Sequence, residues 1–478
     1  MPNLLTTLLS TANALNVFDR ALAVSQNNVT NASTPGYAAQ RLSLQAMDFQ
    51  PEMGLVGGVR SGEIESARNE YAETNVQTQF AAYGFYEQQV ATLEDIEPVF
   101  DISGNGGIPA ALSALFQSFS AWSVAPNDAV ARQTVIDRAQ EVADSFQQAA
   151  QDLATASQDT DRQIQDTVKQ INQLGQQLLA YNMERRRGAK DAGLDARIHN
   201  TLEELSELTD FTVLQQADGS LTVLLGGQTP LVVGEHFYEL GLQFYSPSDP
   251  PPTYPGALPT AHLLNAEGKE ITGQISQGKL GGLLQVRNNL LSSLLGEGNQ
   301  MGDLNRLAKA VADRINSILA SGQVSSGPPP QPGVPLFTYD SGNDTTIAQS
   351  LRLDPGIRQD LLAAIDPGPP YTANGIALKL AALATPQDEA DKLDGFGYAE
   401  FYGVLAARVG RMLSNARDGK DFKAQTLAQA RSIRSELSGV SLDEEAILMT
   451  EFQRAYQANA KVISVLNDLM DTAIHLID

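Results

Sequence analysis

The chain contains no cysteine. Disulfides, thiolate metal sites and cysteine nucleophiles are excluded together, which suits the cytosol or export in an unfolded state that needs no oxidative folding. Histidine is nearly as scarce. His199, His236, His262 and His475 are scattered, with no H-E-x-x-H pair and no triad spacing. Cations are few: Lys and Arg total 32 against 56 Asp and Glu, a formal charge of −24. Such a surface repels nucleic acid and anionic lipid, so neither is expected as a partner. No apolar run approaches the roughly 18 residues that cross a bilayer, so membrane insertion is not expected. No basic segment precedes an apolar core at the N-terminus, which argues against a cleavable secretory signal. Aromatics make up 6% of the chain, with a single Trp. Plentiful Ala, Gln, Leu, Asn and Ser favour a helix-rich, elongated protein over a compact enzyme. The glycines Gly54, Gly57, Gly58 and Gly62 lack the Lys-Ser/Thr of a phosphate loop and the spacing of a dinucleotide fingerprint. The carboxylates fall on polar helix faces. No catalytic residue, cofactor or metal ligand is assigned.

What is present is a heptad at each end. Leu442, Met449, Tyr456, Ile463, Met470 and Ile477 recur every seven residues, with Phe452, Leu466 and Ile474 interleaved. This is the period of a coiled-coil seam; a globular core helix drifts towards 3.6. Ser441 and Glu444 read as a capping box after Gly439. No Pro or Gly interrupts the stretch, so a helix of about 36 residues would run roughly 54 Å. At the other end Leu8, Leu15, Leu22 and Val29 are also seven apart, with Leu4 and Phe18 between them. Two terminal seams suggest that the ends find each other and carry everything between them as an insertion. Ala446, Ala460 and Ala473 would admit other helices closely. An intramolecular two-helix stalk is one reading. The other is a polymerisation element that completes its burial against neighbouring subunits, leaving the ends of a dilute monomer disordered.

Between the seams, residues 42–67 read as strands and loops, and 69–97 as a helix stopped at Pro98. A helix to Ser123 carries an apolar face of Leu112, Leu115, Phe116, Phe119 and Trp122. From 129 to 187 Gly175 is the only helix breaker, giving one very long helix or two broken near 156–160. The period changes to two at 211–215 and 221–225 around Asp218-Gly219, a hairpin. Ser246–Pro255, rich in Pro, reads as an exposed loop. Helix resumes after Gly281-Gly282, and further helices are expected at 400–413 and 424–437. The fold class is mainly α with an inserted β-rich domain, an α+β multidomain chain. Residues 1–40 and 440–478 form a terminal coiled-coil stalk, 41–209 and 279–439 a helical-bundle inner domain, and 210–278 a small β outer domain.

The first seam ends in Asn28, Asn31, Thr34, Pro35, Gly36 and Tyr37, where Pro-Gly signals a type II turn. This string resembles the N-terminal signature of the flagellar rod, hook and hook-associated proteins. Gly439 through Glu445, Phe452-Gln453 and Ala455 through Ser464 resemble the C-terminal signature, and Gly-Val-Ser-Leu-Asp-Glu-Glu resembles the hook-associated protein 1 family, the hook–filament junction proteins. Phe116–Trp122, Asp195 and Arg197 before Glu204-Leu205, and Gly278–Arg287 are similar to that family in the expected order. His199 departs from it, standing where an acidic residue is usual.

The resemblance implies a non-enzymatic subunit exported by the flagellar type III apparatus to the extracellular flagellum. It implies a ring of copies at the hook–filament junction, touching hook protein and a second junction protein, with an export chaperone on the C-terminal helix. A hook or distal-rod protein is the nearest alternative. A secreted stalked enzyme or adhesin is a more distant one.

Overall fold

The computed structural model describes residues 2–475 except 51–54, 102–105, 189–190, 245–252, 255–256 and 328. Ile477, the side chain of Ile474 and most of the Ser246–Pro255 loop therefore lie outside the described residues. Helix α1 (Pro2–Asn31) leads through the Pro-Gly turn into a long hairpin. Its strands β1 (Gln40–Ala46) and β4 (Val59–Ser66) pair antiparallel with a bulge between Leu42 and Leu44, and β2 (Phe49–Gln50) and β3 (Leu55–Val56) pair near its tip. Helix α2 (Glu70–Ile96) starts where the Asn69 side chain accepts from the Ala72 amide, and gives way to a 3₁₀ turn at Glu97–Phe100 containing Pro98. The proline lacks the amide that α-helical continuation requires.

Helix α3 (Gly107–Val124) buries Leu112, Leu115, Phe116, Phe119 and Trp122 as the apolar spacing requires. The Trp122 indole N–H donates to the Pro126 carbonyl at 3.2 Å. Helix α4 (Ala129–Arg186) is unbroken over 58 residues. Where the sequence left a break open, the buried Thr160 hydroxyl donates to the Ala156 carbonyl at 2.7 Å, satisfying itself inside the helix. Helix α5 (Ala192–Leu208) precedes an antiparallel meander of β5 (Phe211–Gln215), β6 (Leu221–Leu225), β7 (Thr229–Val233) and β8 (His236–Phe237). Strands β9 (Gly241–Gln243) and β10 (His262–Leu264) form a separate pair. Helix α6 (Gly278–Gln285) runs through a π turn at Val286–Leu291 into α7 (Ser292–Leu295), and α8 (Asp303–Ala320) follows. A region of short two-stranded pairs then holds α9 (Ile347–Ser350) and α10 (Gly375–Ala382).

Two helices close the chain: α11 (Tyr398–Ser438) and α12 (Leu442–His475). The sequence pattern suggested two helices where α11 is one of 41 residues. Gly419 lies inside it because a Cβ there would overlap the Tyr86 ring of α2, against which α11 packs. Glycine loses helix propensity but permits that approach.

The interior has two large cores. The inner one joins α3, the first half of α4, α8, α10 and the first half of α11. The outer one joins the second half of α4, α5 and α6 with β6, β7 and β10. The β strands therefore share their core with three helices, and α4 is common to both cores. Arg287, 2% exposed in the π turn, donates from Nε to Asp161 Oδ1 of α4 at 2.7 Å. It sits where the two cores meet.

Candidate functional site at the root of the terminal helices

Helices α1 and α12 pack against each other antiparallel, with Phe18 and Phe452 ring centroids 6.4 Å apart. Along α1 the buried positions are Thr11, Ala14, Val17, Ala21, Ser25 and Asn28. Leu8, Leu15 and Leu22 lie beside that row and are half-buried, and Val29 is exposed. Small residues let the helix backbones approach, so the leucines fall on its flank. On α12 the row closest to the contact holds Glu445 and Leu466, both buried, and half-buried Phe452. Met449, Ile463 and Met470 are half-buried beside it, while Leu442 and Tyr456 are exposed. A further row, Leu448, Val462 and Leu469, is exposed by 37%, 44% and 50%. One partner helix does not cover both flanks of α12.

The Asn-rich end of α1 is a set of hydrogen bonds centred on Asn28, which is 1% exposed. Its Nδ2 donates to Glu445 Oε1 at 2.7 Å and to the Gln40 carbonyl at 2.8 Å. Its Oδ1 accepts from the Gln40 amide and the Tyr37 hydroxyl, both at 2.9 Å. One amide side chain thus ties the end of α1, the start of β1 and the start of α12 together. Burial, then the nearby Glu445 charge, raises the Tyr37 phenol above its ordinary value and keeps it a donor. Asn31 Nδ2 donates to Asn27 Oδ1 at 2.8 Å, and the Thr34 hydroxyl donates to Asn31 Oδ1 at 3.1 Å. These close the turn that Pro35 and Gly36 initiate, with Gly36 at φ +72°.

That turn docks on the body. Arg68 Nη2 donates to the Gly36 carbonyl at 2.6 Å, and its Nε donates to Asp195 Oδ2 of α5 at 2.9 Å. Arg68 also pairs with Glu73, and Asp195 takes a second arginine, Arg185, at 2.7 Å. Glu203 binds Arg434 and Arg431 of α11 at 2.6 and 2.8 Å. Burial alone would raise the Glu203 carboxyl; the two arginines outweigh it and hold the carboxyl below its usual range. Ser438, the last residue of α11, accepts from the Ala39 amide at its carbonyl and from the Asn69 amide at its hydroxyl. The motif residues Asn28, Gly36, Tyr37, Asp195 and Glu445 are therefore brought to one place. Arg68, Glu73, Ser438 and Arg434 join them without having been legible in the sequence. The one signal for Arg68 was its place between a strand and the Asn69 cap.

His199 belongs to this cluster. It is 9% exposed, and its Nε2 lies 3.8 Å from Asp195 Oδ1. Burial first, then the Arg68 charge, holds its pKa at about 3, against 6.5 for a free imidazole, despite Asp195. Below pH 6.5 the unfolded chain binds a proton that the folded imidazole refuses until about pH 3. This stabilisation is complete above pH 6.5 and is lost as pH falls towards 3. By pH 4.5 the loss is expected to reach about 2–3 kcal/mol. Urea midpoints at pH 7 and 4.5 check it: His199→Gln should lose clearly less than the parent chain, and equal losses would contradict the assignment.

Among the described residues no group of three or more His, Cys, Asp or Glu could hold a metal ion. None of the described helices is long and apolar enough to cross a membrane. The adjacent cleft, about 280 Å³, is lined by Asp191, Asp195 and Asp218 as well as Arg185, charges of both signs. Paired terminal helices with uncovered flanks, stapled to a mainly helical body, are the architecture of a structural protein.

Residues 93–337 match the model of the flagellar hook-associated protein FlgK helical domain, and 433–476 that of the flagellar basal body rod FlgEFG protein C-terminal region. The flagellar hook-associated protein 1 of Bacillus subtilis (strain 168) is 24% identical over 498 residues, covering 97% of this chain and 96% of that protein. The solved flagellar hook junction protein FlgK of Burkholderia pseudomallei has a similar fold, with a TM-score of 0.64 at 16% identity over 77% of this chain and 100% of that one. The chain belongs to the flagellar hook-associated protein 1 family, and it is a structural protein of the bacterial flagellum.

Proposed function

We propose that this chain forms the junction between hook and filament, assembling through its terminal helices. The observation that carries this reading is the pair of uncovered apolar rows on α12, Leu442 with Tyr456 on one flank and Leu448, Val462 and Leu469 on the other. Neighbouring copies would remove that surface from water at about 25 cal/mol per Å², and many such contacts add through multivalency. The interface residues are Leu8, Leu15, Leu22 and Val29 of α1 with Leu442, Met449, Phe452, Tyr456, Ile463, Leu466, Met470, Ile474 and Ile477 at the C-terminal end. The motif Asn28, Asn31, Thr34, Pro35, Gly36 and Tyr37 holds the stalk at a fixed angle to the body. Hook protein on one side and a second junction protein on the other are the partners, with an export chaperone covering the C-terminal helix before assembly. Export follows the flagellar type III route.

Cells lacking the chain are expected to carry complete hooks without filaments and to lose flagellin to the medium. Missing hooks would move the chain to the hook or rod, and normal filaments would remove the junction role. In dilute monomer, backbone amides of 445–475 are expected to exchange at least a hundredfold faster than those of α3 or α8, because a helix with one covered face is marginal in water. Protection equal to that of α3 would mean that the stalk completes itself without neighbours.

A further inference from the structure

The apolar packing of the body is interrupted at one level. Helix α4 serves the inner core as far as Leu153 and the outer core from Ile164. Between them the buried side chains are Ser157 and Thr160, both hydroxyls. The neighbouring elements are polar at the same level. Gln88 Nε2 of α2 donates to Gln163 Oε1 of α4, and Gln89 Nε2 to Gln285 Oε1 of α6, both at 2.8 Å. In the π turn Arg287 holds Asp161. Asn288 beside it grips the Ala261 backbone, accepting from the amide at 2.9 Å and donating to the carbonyl at 2.8 Å. A layer of amides, hydroxyls and an ion pair thus lies between two apolar cores. Close-packed cores resist deformation, whereas side-chain hydrogen bonds exchange partners with water at small net cost.

Among the described residues four helices cross this level, and each is softened there. In α4 the Thr155 and Thr160 hydroxyls donate to the carbonyls four residues back, at 2.9 and 2.7 Å. Such bonds weaken the backbone ladder and bend helices. In α2 Thr92 makes the same bond to Gln88 at 3.0 Å. Helix α6 passes into α7 through the π turn, and α11 places Gly419 beside Tyr86, two residues from Gln88. There is also room to move. A cleft of about 430 Å³ on one side of α4 is lined by Thr92, Val99, Asp152 and Asp159. A second, of about 180 Å³, is lined by Gln151, Ala154, Gln158 and Leu258. At about 100° per residue, Asp152 and Asp159 project well away from Ala154 and Gln158.

We propose that this level is a flexure. The outer core, whose Asp195 and Glu203 hold the root of the stalk, tilts as a unit on the inner core. The four helices bend at the polar layer, the clefts open and close, and Arg287 is the catch that limits the motion. Neither core opens. The inference concerns the single chain and stands whether or not that chain sits at the hook–filament junction. In an assembly the flexure lets the stalk and the far end of the body settle at different angles.

The lack of cysteine allows two spin labels to be placed on the full chain without background. Glu97 and Gln170 are exposed on either side of the layer, and Gln170 lies on the stripe of Asp152 and Asp159. The pair E97C/Q170C therefore spans the flexure along the larger cleft. The pair E97C/Q133C lies wholly on the inner side, Gln133 being exposed on the first half of α4. Double electron–electron resonance is expected to give a distance distribution about twice as broad for the first pair as for the second. T155A/T160A, which places strong helix formers at the bend, should narrow the first to the width of the second. Arg287→Lys keeps the charge and loses the planar grip; it should broaden the first and leave the second unchanged. Equal widths in the parent chain would overturn the proposal. So would a broad first distribution that neither variant alters, because the motion would then lie elsewhere. Where Arg287→Lys unfolds the outer core, seen as fast exchange in β6 and β7, the comparison of parent and T155A/T160A decides alone.

Discussion

Arg287→Ala is expected to destabilise the outer core by about 3–5 kcal/mol, the usual result of stranding one member of a buried ion pair. Arg287 Nε and Nη2 reach the two carboxylate oxygens of Asp161 at 2.7 and 3.3 Å, and Nη2 also donates to the Pro259 carbonyl. Burial already raises the Asp161 carboxyl above its ordinary value against the pull of the guanidinium. Alanine leaves that carboxyl without its cation at the meeting point of the two cores, together with an unmatched carbonyl. The double replacement R287M/D161L removes both charges and should lose less than R287A alone. Trp122 lies in the inner core, so its fluorescence reports that half of the molecule. Hydrogen exchange in β6 and β7 reports the other half and should respond more strongly. A Trp122 midpoint that moves as far as the β6 and β7 protection would show that the two cores unfold as one unit.

Gly36→Val should release the terminal stalk from the body at a cost of about 2–4 kcal/mol. Gly36 holds a positive φ that a β-branched residue resists, and a Cβ there would overlap the Ala196 carbonyl oxygen and crowd the Asn200 amide of α5. The Arg68 bond to the Gly36 carbonyl and the salt links of Asp195 depend on that contact. Exchange at residues 36–40 and 194–200 should accelerate, and cells carrying the variant should swim poorly if at all. Pro35→Ala, which keeps the glycine, should have a far smaller effect. Parental exchange and motility for Gly36→Val would show that the turn need not dock.

Most helices were legible because their apolar residues recur at helical spacing and their ends carry caps and breakers. Asn69, Asp128 and Asp191 each cap a helix through a side-chain oxygen, and the Trp122 face went to the core. Two features escaped for physical reasons. The continuity of α11 through Gly419 comes from packing against α2 and overrides local propensity. The precise contact line between α1 and α12 was hidden because it is made of small and polar side chains, Ala14, Ala21, Ser25, Asn28 and Glu445, rather than the leucine heptad that draws the eye. The root of the stalk was half legible. Its motif residues stood out, yet their partners Arg68, Arg434 and Ser438 come from segments with no local signature, and sequence spacing carries no record of which arginine meets which carboxylate across 100 or more residues.

The most direct measurement of the junction assignment is immunogold labelling of intact flagella with an antibody raised against the β5–β8 meander. A single band at the distal end of the hook, where the filament begins, is the predicted result. Label distributed along the hook, or confined to the rod, would contradict it.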